Sequence, residues 1–388
     1  MSYFETDDKM NPHNRPAGSQ ENYRRTGWLL LGLIFASLLI LTWIFIHWNL
    51  DVRLTQRFYS SETGWHLRYQ QPWMFIYKYG TVPGLLFTLA ALVAWIICVL
   101  KERFHYLQRT FLVIVLTAAL GPGLIVNGVL KNYWGRPRPR QTQEFGGQWE
   151  YRHINQPGIP GKGKSFPSGH ATMGFMFVTL IYFRRQSPVL AYAGGAAGLV
   201  FGTIIGITRT AQGAHFPSDS IWSLGVILMV STALYYLVLQ VPKRREMPAR
   251  RLSPSRKRMA VGLVSVAIVV ITGAFLLHRP FFKTYRFDLP VDHSTRRLIV
   301  SSSEPFVNVE LDYRSRANPQ ARIDVRGFAW TRAKLKLEKQ IQVRDSLVKL
   351  TLDFNRKGYF AELSSELVLE LPEDGKGRIT LEVVEAKD

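Results

Sequence analysis

Seven runs of mainly apolar residues lie between residues 28 and 277 of the chain. A helix needs about 20 consecutive apolar residues to cross the hydrocarbon core of a bilayer. Five runs come close to or meet this length: residues 28–48, 83–100, 111–130, 221–241 and 259–277. Two weaker runs, residues 169–183 and 189–207, are short or rich in Gly and Ala, and buried core helices are the alternative for them. Because they alternate with the strong runs, the pattern favours a bundle of seven membrane spans.

The positions of Lys and Arg near the ends of the runs indicate which side of the membrane each connection faces. With the N-terminus inside, the inner side receives residues 243–258, which hold eight basic residues and one acidic residue. The outer side receives residues 131–168, which hold seven basic and two acidic residues. This basic outer connection needs an explanation other than topology. The first run follows a polar tail and lacks a small-residue cleavage site, so we expect a retained membrane helix.

The charge balance is consistent with this arrangement. The chain carries 49 Lys and Arg against 28 Asp and Glu, a formal net charge of +21, and 47% of its residues are hydrophobic. So high an apolar content excludes a disordered chain. More than half of the excess positive charge lies in residues 131–168 and 243–258. Anionic lipid headgroups beside the inner stretch explain it better than nucleic acid does. The single cysteine, Cys98, excludes an intrachain disulfide and a cysteine-cluster metal site.

The character of the sequence changes after residue 278. Apolar residues now alternate with polar ones, as in Leu350, Leu352 and Phe354, and this period of two predicts β-strands. Residues 367–371 and 379–383 repeat the pattern, and residues 373–377 between them predict the loop of a hairpin. With seven spans before it, this domain lies outside. A lid, a docking module for a periplasmic or envelope partner, an envelope anchor and a passive appendage are all open for it.

The sequence therefore predicts a mainly α polytopic membrane helix bundle, a six-helix core plus a seventh span, followed by a small all-β domain. The predicted boundaries are a cytoplasmic tail at 1–26, the membrane core at 27–242, a basic linker at 243–258, the seventh span at 259–278 and the β-rich domain at 279–388.

Three short polar segments at the ends of the runs carry the residues best suited to chemistry. They are residues 131–139, 166–170 and 208–219, and the predicted topology places all three on the outer side. Lys131, Arg138 and Arg209 supply fixed positive charge and several donors for the oxygens of a phosphoryl group. Ser168 and the backbone amides of Gly169 and His170 would begin a helix, where unpaired amides favour an anion.

Two histidines in these segments can carry out the reaction itself. Imidazole titrates near neutrality, so His170 and His215 can divide the roles of nucleophile and general acid. Asp219 follows His215 by four residues and would accept its second N–H, which fixes the tautomer.

The three segments together resemble the type-2 phosphatidic acid phosphatase superfamily of membrane lipid phosphatases. The family pattern is Lys-x6-Arg-Pro, Pro-Ser-Gly-His and Ser-Arg-x5-His-x3-Asp. This chain has Lys131 with Arg138 and Pro139, then residues 167–170, then residues 208–219, and differs only by Thr208 in place of serine. The resemblance covers roughly residues 28–241. Residues 134–139, followed by residues 145–147, resemble the subset of the family that handles large envelope lipids such as lipid A or polyprenyl phosphates.

The resemblance implies a role for each matching residue. His215 would attack phosphorus and form a phosphohistidine, Asp219 would hold it, and His170 would protonate the leaving oxygen. The phosphate would be bound by a set of five residues: Lys131, Arg138, Ser168, Gly169 and Arg209. No metal or other cofactor is implied, because the cationic side chains take the place that Mg²⁺ has in other phosphoryl transfers.

The predicted function is hydrolysis of a phosphate monoester or pyrophosphate of an envelope lipid in the bacterial inner membrane, with the site facing the periplasm. Candidate substrates are phosphatidic acid, phosphatidylglycerophosphate, undecaprenyl pyrophosphate and lipid A. A lipid-to-lipid phosphotransferase and a non-catalytic lipid transporter or scaffold are the alternatives. Arg136 and Arg140 either contact the substrate or lie on a solvated interfacial face.

Overall fold

The computed structural model describes residues 18–147, 149–160, 163–244, 255, 262, 278–303, 306–314, 318–330, 333–358 and 360–385. The chain divides into two compact units. The first, the helical unit, comprises Met1–Pro139 and Glu150–Val266, and the second, the β unit, comprises Arg140–Trp149 and Ala267–Asp388. Each is described by itself below.

The helical unit is built from apolar helices joined by short connections. Its α-helices are α1 (Gly18–His47), α2 (Leu50–Thr55), α3 (Trp73–Tyr79), α4 (Val82–Leu100), α5 (Gln108–Ala118), α6 (Lys131–Tyr133), α7 (Gly169–Phe175), α8 (Pro188–Ala211), α9 (Pro217–Thr232) and α10 (Val241–Arg244). A π-helical stretch, Ala119–Leu130, continues α5 through Pro122, and another, Ala233–Val238, continues α9. A 3₁₀ stretch, Met176–Phe183, continues α7.

Five helical stretches among the described residues are long and apolar enough to cross a membrane. They are Asn22–His47, Trp73–Leu100, Glu102–Tyr133, Pro188–Ala211 and Pro217–Val238. The weak run at residues 169–183 forms a shorter apolar helix, Gly169–Phe183. The predicted polytopic helix bundle is thus confirmed. The predicted seventh span, apart from Gly262 and His278, and most of the predicted basic linker lie outside the described residues.

Glycines allow the helix that ends at the site to approach its neighbour closely. A Cβ added at Gly198 of α8 would lie 2.5 Å from the backbone nitrogen of Val178, and one at Gly202 would overlap the ring of Phe175. Small residues at such crossings let two helix backbones pack directly against each other. The packing fixes α7 beside α8, and therefore brings the residues at the ends of these two helices together.

The β unit contains two four-stranded mixed sheets. Its strands are β1 (His278–Asp288), β2 (Arg297–Ser302), β3 (Phe306–Arg314), β4 (Gln320–Trp330), β5 (Lys334–Arg344), β6 (Leu347–Lys357), β7 (Phe360–Pro372) and β8 (Thr380–Glu385). The strand orders are β1-β4-β7-β3 and β5-β6-β2-β8. Alternate residues of the strands, including Leu298, Leu350 and Leu369, form one buried apolar core, as the period of two predicts.

The predicted hairpin at residues 373–377 is wrong. Those residues do form a tight connection, with a 3₁₀ turn at Glu373–Gly375, but β7 and β8 belong to different sheets. The reason is that β7 lies between β4 and β3, so both of its hydrogen-bonding edges are already occupied. β8 instead pairs in parallel with β2.

The β unit also includes a segment from the middle of the chain, residues 140–149. Arg140 and Glu366, which lies on β7, are both buried, and Arg140 Nε lies 3.2 Å from Glu366 Oε1. The segment folds back on itself, since the amide of Trp149 donates to the carbonyl of Gln141 over 2.8 Å. Arg140 is therefore not on a solvated face, which was one of its two predicted positions.

Candidate active site

His215 lies in a tight turn between two of the apolar helices. α8 ends at Ala211, and Gly213 follows with a φ of +61° that ends the helix and redirects the chain. A side chain at Gly213 would also overlap the ring of Trp65, so glycine is needed here for two reasons. Pro217 then begins α9. The turn buries His215 to 2% exposure.

The hydrogen bond of His215 determines which ring nitrogen is available for chemistry. Its Nδ1 lies 2.5 Å from the backbone carbonyl oxygen of Ser165. A carbonyl can only accept, so Nδ1 donates the proton and Nε2 of the neutral ring keeps its lone pair. Sequence reasoning expected Asp219 to be this partner. The nearest Asp219 oxygen lies 3.8 Å from Nδ1, which is ion-pair range but longer than a hydrogen bond.

The surroundings of His215 keep its ring neutral. The pKa of His215 is lowered to about 4, mainly because burial deprives the imidazolium form of its hydration. The positive charges of Arg209 and Arg138 contribute to this lowering, whereas the Asp219 carboxylate acts in the opposite direction. At neutral pH the ring is therefore an uncharged nitrogen base beside two guanidinium groups.

Asp219 organises the turn rather than bonding directly to the imidazole. Its Oδ2 accepts from the hydroxyl of Ser165 over 2.6 Å and from the backbone amide of Phe216 over 2.8 Å. Its Oδ1 accepts from Arg136 Nη1, also over 2.6 Å. Asp219 thus holds Ser165, whose own carbonyl holds His215. Neither Ser165 nor Arg136 was among the predicted site residues.

Arg209 and His170 are connected by an aromatic ring that sequence reasoning missed. The guanidinium carbon of Arg209 lies 4.4 Å from the ring centre of Tyr77, a cation–π distance. The Tyr77 ring stacks on the imidazole of His170, with centroids 5.3 Å apart and an interplanar angle of 19°. Gln212 fixes the guanidinium by accepting from Arg209 Nη1 over 2.6 Å. α3 therefore positions both groups through Tyr77.

The second motif begins its helix where the sequence predicts. Ser168 caps α7, with its side-chain oxygen 3.4 Å from the amide of Ala171, and Gly169 is the first helical residue. Ser223 of α9 donates to the carbonyl of Ser168 over 2.9 Å. A Cβ at Gly169 would lie 3.0 Å from the side-chain oxygen of Asn127. These contacts bring the start of α7 to the start of α9 and thus to the turn of His215.

The first motif contributes two cations at different positions. Arg138 is half-buried and close enough to His215 to lower its pKa. Lys131 is also half-buried and begins the short helix α6, which ends the apolar stretch Glu102–Tyr133. The contacts and charges described above relate seven of the eight predicted site residues to one another, and the eighth, Lys131, lies at the start of α6.

Comparison with known proteins addresses which family this arrangement belongs to. Residues 110–245 match the model of the PAP2 superfamily. These residues form a PAP2 domain. They contain all eight predicted site residues, whereas Tyr77 precedes the matched region.

Three relatives of this chain are named lipid A 4'-phosphatase. The protein of Francisella tularensis subsp. novicida is 28% identical over 223 residues, covering 54% of this chain and 95% of that relative. The protein of Rhizobium leguminosarum is 36% identical over 125 residues, covering 31% of this chain and 52% of the relative. The protein of Rhizobium etli is 36% identical over 104 residues, covering 26% of this chain and 38% of the relative. No solved structure matches. Family and relatives together support a multi-pass membrane lipid phosphatase.

Thr208, the one departure from the family pattern, has its hydroxyl occupied by its own helix. Thr208 Oγ1 donates to the carbonyl of Ile204 over 2.8 Å. A serine would make the same bond, so we expect Thr208→Ser to change the rate of phosphate release by less than about two-fold. Thr208→Val keeps the shape and loses one hydrogen bond, worth about 1 kcal/mol of stability. Initial rates and thermal melts measure both effects. A rate loss above ten-fold in the valine variant would show that the hydroxyl contacts substrate.

Proposed function

We propose that the protein removes a phosphate monoester from an envelope glycolipid of the lipid A type, through a phosphohistidine on His215. The observation that carries this proposal is the buried, neutral His215, whose Nδ1 is bound by Ser165 and whose pKa Arg209 and Arg138 help to lower. A nitrogen base with a fixed lone pair beside two guanidinium groups is suited to attack a phosphate that those groups bind.

In the first step, Nε2 of His215 attacks phosphorus and forms the N–P bond. The P–O bond to the lipid breaks, and its electron pair stays on the lipid oxygen. His170, as the imidazolium, gives its proton to that oxygen, so a neutral alcohol leaves. The position of His170 is set by its stacking on Tyr77.

In the second step, water hydrolyses the phosphohistidine. The neutral His170 left by the first step takes a proton from the water as its oxygen attacks phosphorus. The N–P bond breaks, its electron pair returns to Nε2 of His215, and inorganic phosphate leaves. Both histidines are then in their starting states, so the cycle needs no external reagent.

Fixed cations would stabilise the negative charge on the three non-bridging oxygens of the phosphoryl group, which are equatorial in the transition state of transfer. Arg209 is held by Gln212 and Tyr77, so its donors are positioned before the substrate arrives. Arg138, Lys131, Ser168 and the amide of Gly169 complete the proposed phosphate site. With three cationic side chains in place, we expect the reaction to proceed without a metal ion.

Two observations favour a lipid A-type substrate over the other candidates. The three relatives are named for that reaction, and one of them is matched over 95% of its length.

We further propose that the protein resides in the bacterial inner membrane with the site facing the periplasm, since the basic residues 243–258 favour the inner side. Anionic headgroups are the expected partners of that stretch.

The test is a substrate panel with the purified protein in detergent. Phosphate release is measured from lipid A, phosphatidic acid, phosphatidylglycerophosphate and undecaprenyl pyrophosphate, with and without EDTA. We expect lipid A to be turned over fastest and EDTA to have no effect. Faster turnover of another lipid would contradict the proposal that the substrate is of the lipid A type. Loss of activity in EDTA would contradict the metal-free mechanism. Label transferred from a phosphate to an acceptor lipid, instead of to water, would identify a phosphotransferase.

A further inference from the structure

Arg136 is a fully buried cation held between two carboxylates. Its Nη1 lies 2.6 Å from Asp219 Oδ1, and its Nη2 lies 2.7 Å from Asp51 Oδ2. The guanidinium carbon also lies 4.5 Å from the ring centre of Phe216. Neither of the positions considered from the sequence, a substrate contact or a solvated face, describes this residue.

Asp51 is fixed from a second direction by the start of α9. Its Oδ1 accepts from the backbone amide of Ser218 over 3.0 Å, and its Oδ2 accepts from the Ser218 hydroxyl over 2.6 Å. Ser218 Oγ also accepts from Arg136 Nη1 over 3.0 Å. Asp51 lies on α2, which precedes the family-matched residues 110–245, so the PAP2 pattern does not include it.

A buried arrangement of this kind is weak evidence for stability. Removing one cation and two carboxylates from water costs several kcal/mol per ion, and their mutual attraction often only offsets that cost. Such groups are therefore candidates for a functional role when they contact a reacting residue. Here Arg136 contacts Asp219, which holds Ser165, whose carbonyl binds His215.

We propose that Arg136 and Asp51 are positioning residues that act on His215 through Asp219 and Ser165. This proposal rests on the proposed function, in which His215 is the nucleophile. Arg136 donates to Oδ1 of Asp219, so Oδ2 of Asp219 accepts from the Ser165 hydroxyl and the Phe216 amide. Asp51 in turn sets the direction of the Arg136 guanidinium.

The network also sets the charge that His215 experiences. Arg136 neutralises the Asp219 carboxylate, which would otherwise favour a protonated His215 ring from 3.8 Å away. The negative charge of Asp51 in turn offsets part of the positive charge with which Arg136 neutralises Asp219. Among the described residues, the charged and titratable groups around His215 and this network are Asp219 of α9, Arg209 of α8, Asp51 of α2, and Arg136, Arg138, Tyr151 and His153 from the connection after α6. His170 of α7 is linked to Arg209 through the ring of Tyr77.

The decisive experiment compares pH–rate profiles of variants of the full chain in detergent, with one lipid phosphate as substrate. Asp51→Asn removes a negative charge, so the acidic limb of kcat/KM should move to lower pH. Arg136→Gln removes a positive charge, so the limb should move to higher pH. We expect kcat to fall by about 10²-fold in both, since the Asp219–Ser165–His215 geometry loosens. Opposite movements of the limb cannot come from general damage to the fold.

Two further variants separate charge from geometry. Arg136→Lys keeps the charge and loses the two-sided contact, so it should restore the limb toward wild type while kcat stays low. It also keeps the test usable where Arg136→Gln fails to fold. Tyr182→Phe is the control, because it removes buried hydrogen bonds to Ser231 and Thr232 without touching the network. The limb should not move in it.

Outcomes for the positioning role and for the proposed function differ. A wild-type protein that releases no phosphate from any lipid contradicts the function. An active wild type whose limb stays fixed in Asp51→Asn, or moves the same way in Asp51→Asn and Arg136→Gln, overturns the positioning role. An Arg136→Lys variant with the wild-type kcat overturns it too, and this outcome can be read even where Arg136→Gln does not fold. Substrate ionisation also shapes the acidic limb, but it is identical in every variant and cancels from the comparison.

Discussion

We expect His215→Asn to lower phosphate release from the lipid substrate by at least about 10³-fold, because removal of a covalent nucleophile, the role proposed for His215, has an effect of that size. Asparagine keeps an N–H that can donate to the Ser165 carbonyl, so the turn between α8 and α9 retains its contact. It has no nitrogen lone pair to attack phosphorus. The effect is therefore on chemistry, and steady-state rates with a radiolabelled lipid phosphate measure it.

The matched control is His66→Asn, since His66 is exposed on the 3₁₀ turn His66–Tyr69. Its rate should stay within about two-fold of wild type. Rapid acid-free quenching should also show label on wild-type His215 that is stable in base and lost in acid. Turnover by His215→Asn above a tenth of the wild-type rate would exclude His215 as nucleophile.

His170→Gln separates the two halves of the reaction. The general acid matters most when the leaving oxygen is basic, so we expect hydrolysis of a lipid phosphate to fall by about 10²- to 10⁴-fold. An aryl phosphate has a better leaving group and should still phosphorylate His215. Without His170 to deprotonate water, the phosphoenzyme should then accumulate. A burst of one phenolate per protein, followed by slow turnover, is the expected time course.

His66→Gln is the control for this experiment, because it makes the same replacement at an exposed histidine on the 3₁₀ turn His66–Tyr69. It should retain near-normal rates with both substrates. An equal loss of His170→Gln activity on lipid and aryl phosphates, without a burst, would show that His170 positions the substrate instead of transferring protons.

The linear motifs located most of the residues that the structure brings together in the candidate site, because these residues lie at helix ends. Gly169 begins α7 and His215 follows α8, so the order of apolar runs and polar segments already grouped them. The acceptor for His215 could not be predicted this way. It is the backbone carbonyl of Ser165, and every residue type has such a carbonyl. Only the folding of the connection before α7 selects it.

Asp51 and Arg136 were missed for a different reason. They are 85 residues apart in sequence, and no spacing rule connects them. A signal existed, since Asp51 is an ionisable residue directly after the first apolar run, and such residues in helix bundles tend to be functional. What the sequence could not supply was the partner.

The β unit shows the same division between local pattern and pairing. Period-two alternation located β6, β7 and β8, because one face of each strand is buried. Pairing depends on which strand edges are free, and β7 has neither edge free. β7 and β8, which follow each other in the sequence, therefore belong to different sheets, and the alternation of apolar and polar residues does not predict this.

The inclusion of residues 140–149 in the β unit has a consequence for anyone who truncates this protein. A stop codon after the predicted seventh span would delete every β-strand and leave Arg140 in place without the carboxylate of Glu366. That cation follows Pro139 directly, one residue beyond the motif that supplies Arg138. The shortened enzyme would thus carry an altered connection as well as a missing domain. A point variant at Glu366 is the cleaner experiment, because it alters the contact of Arg140 without removing the β-strands.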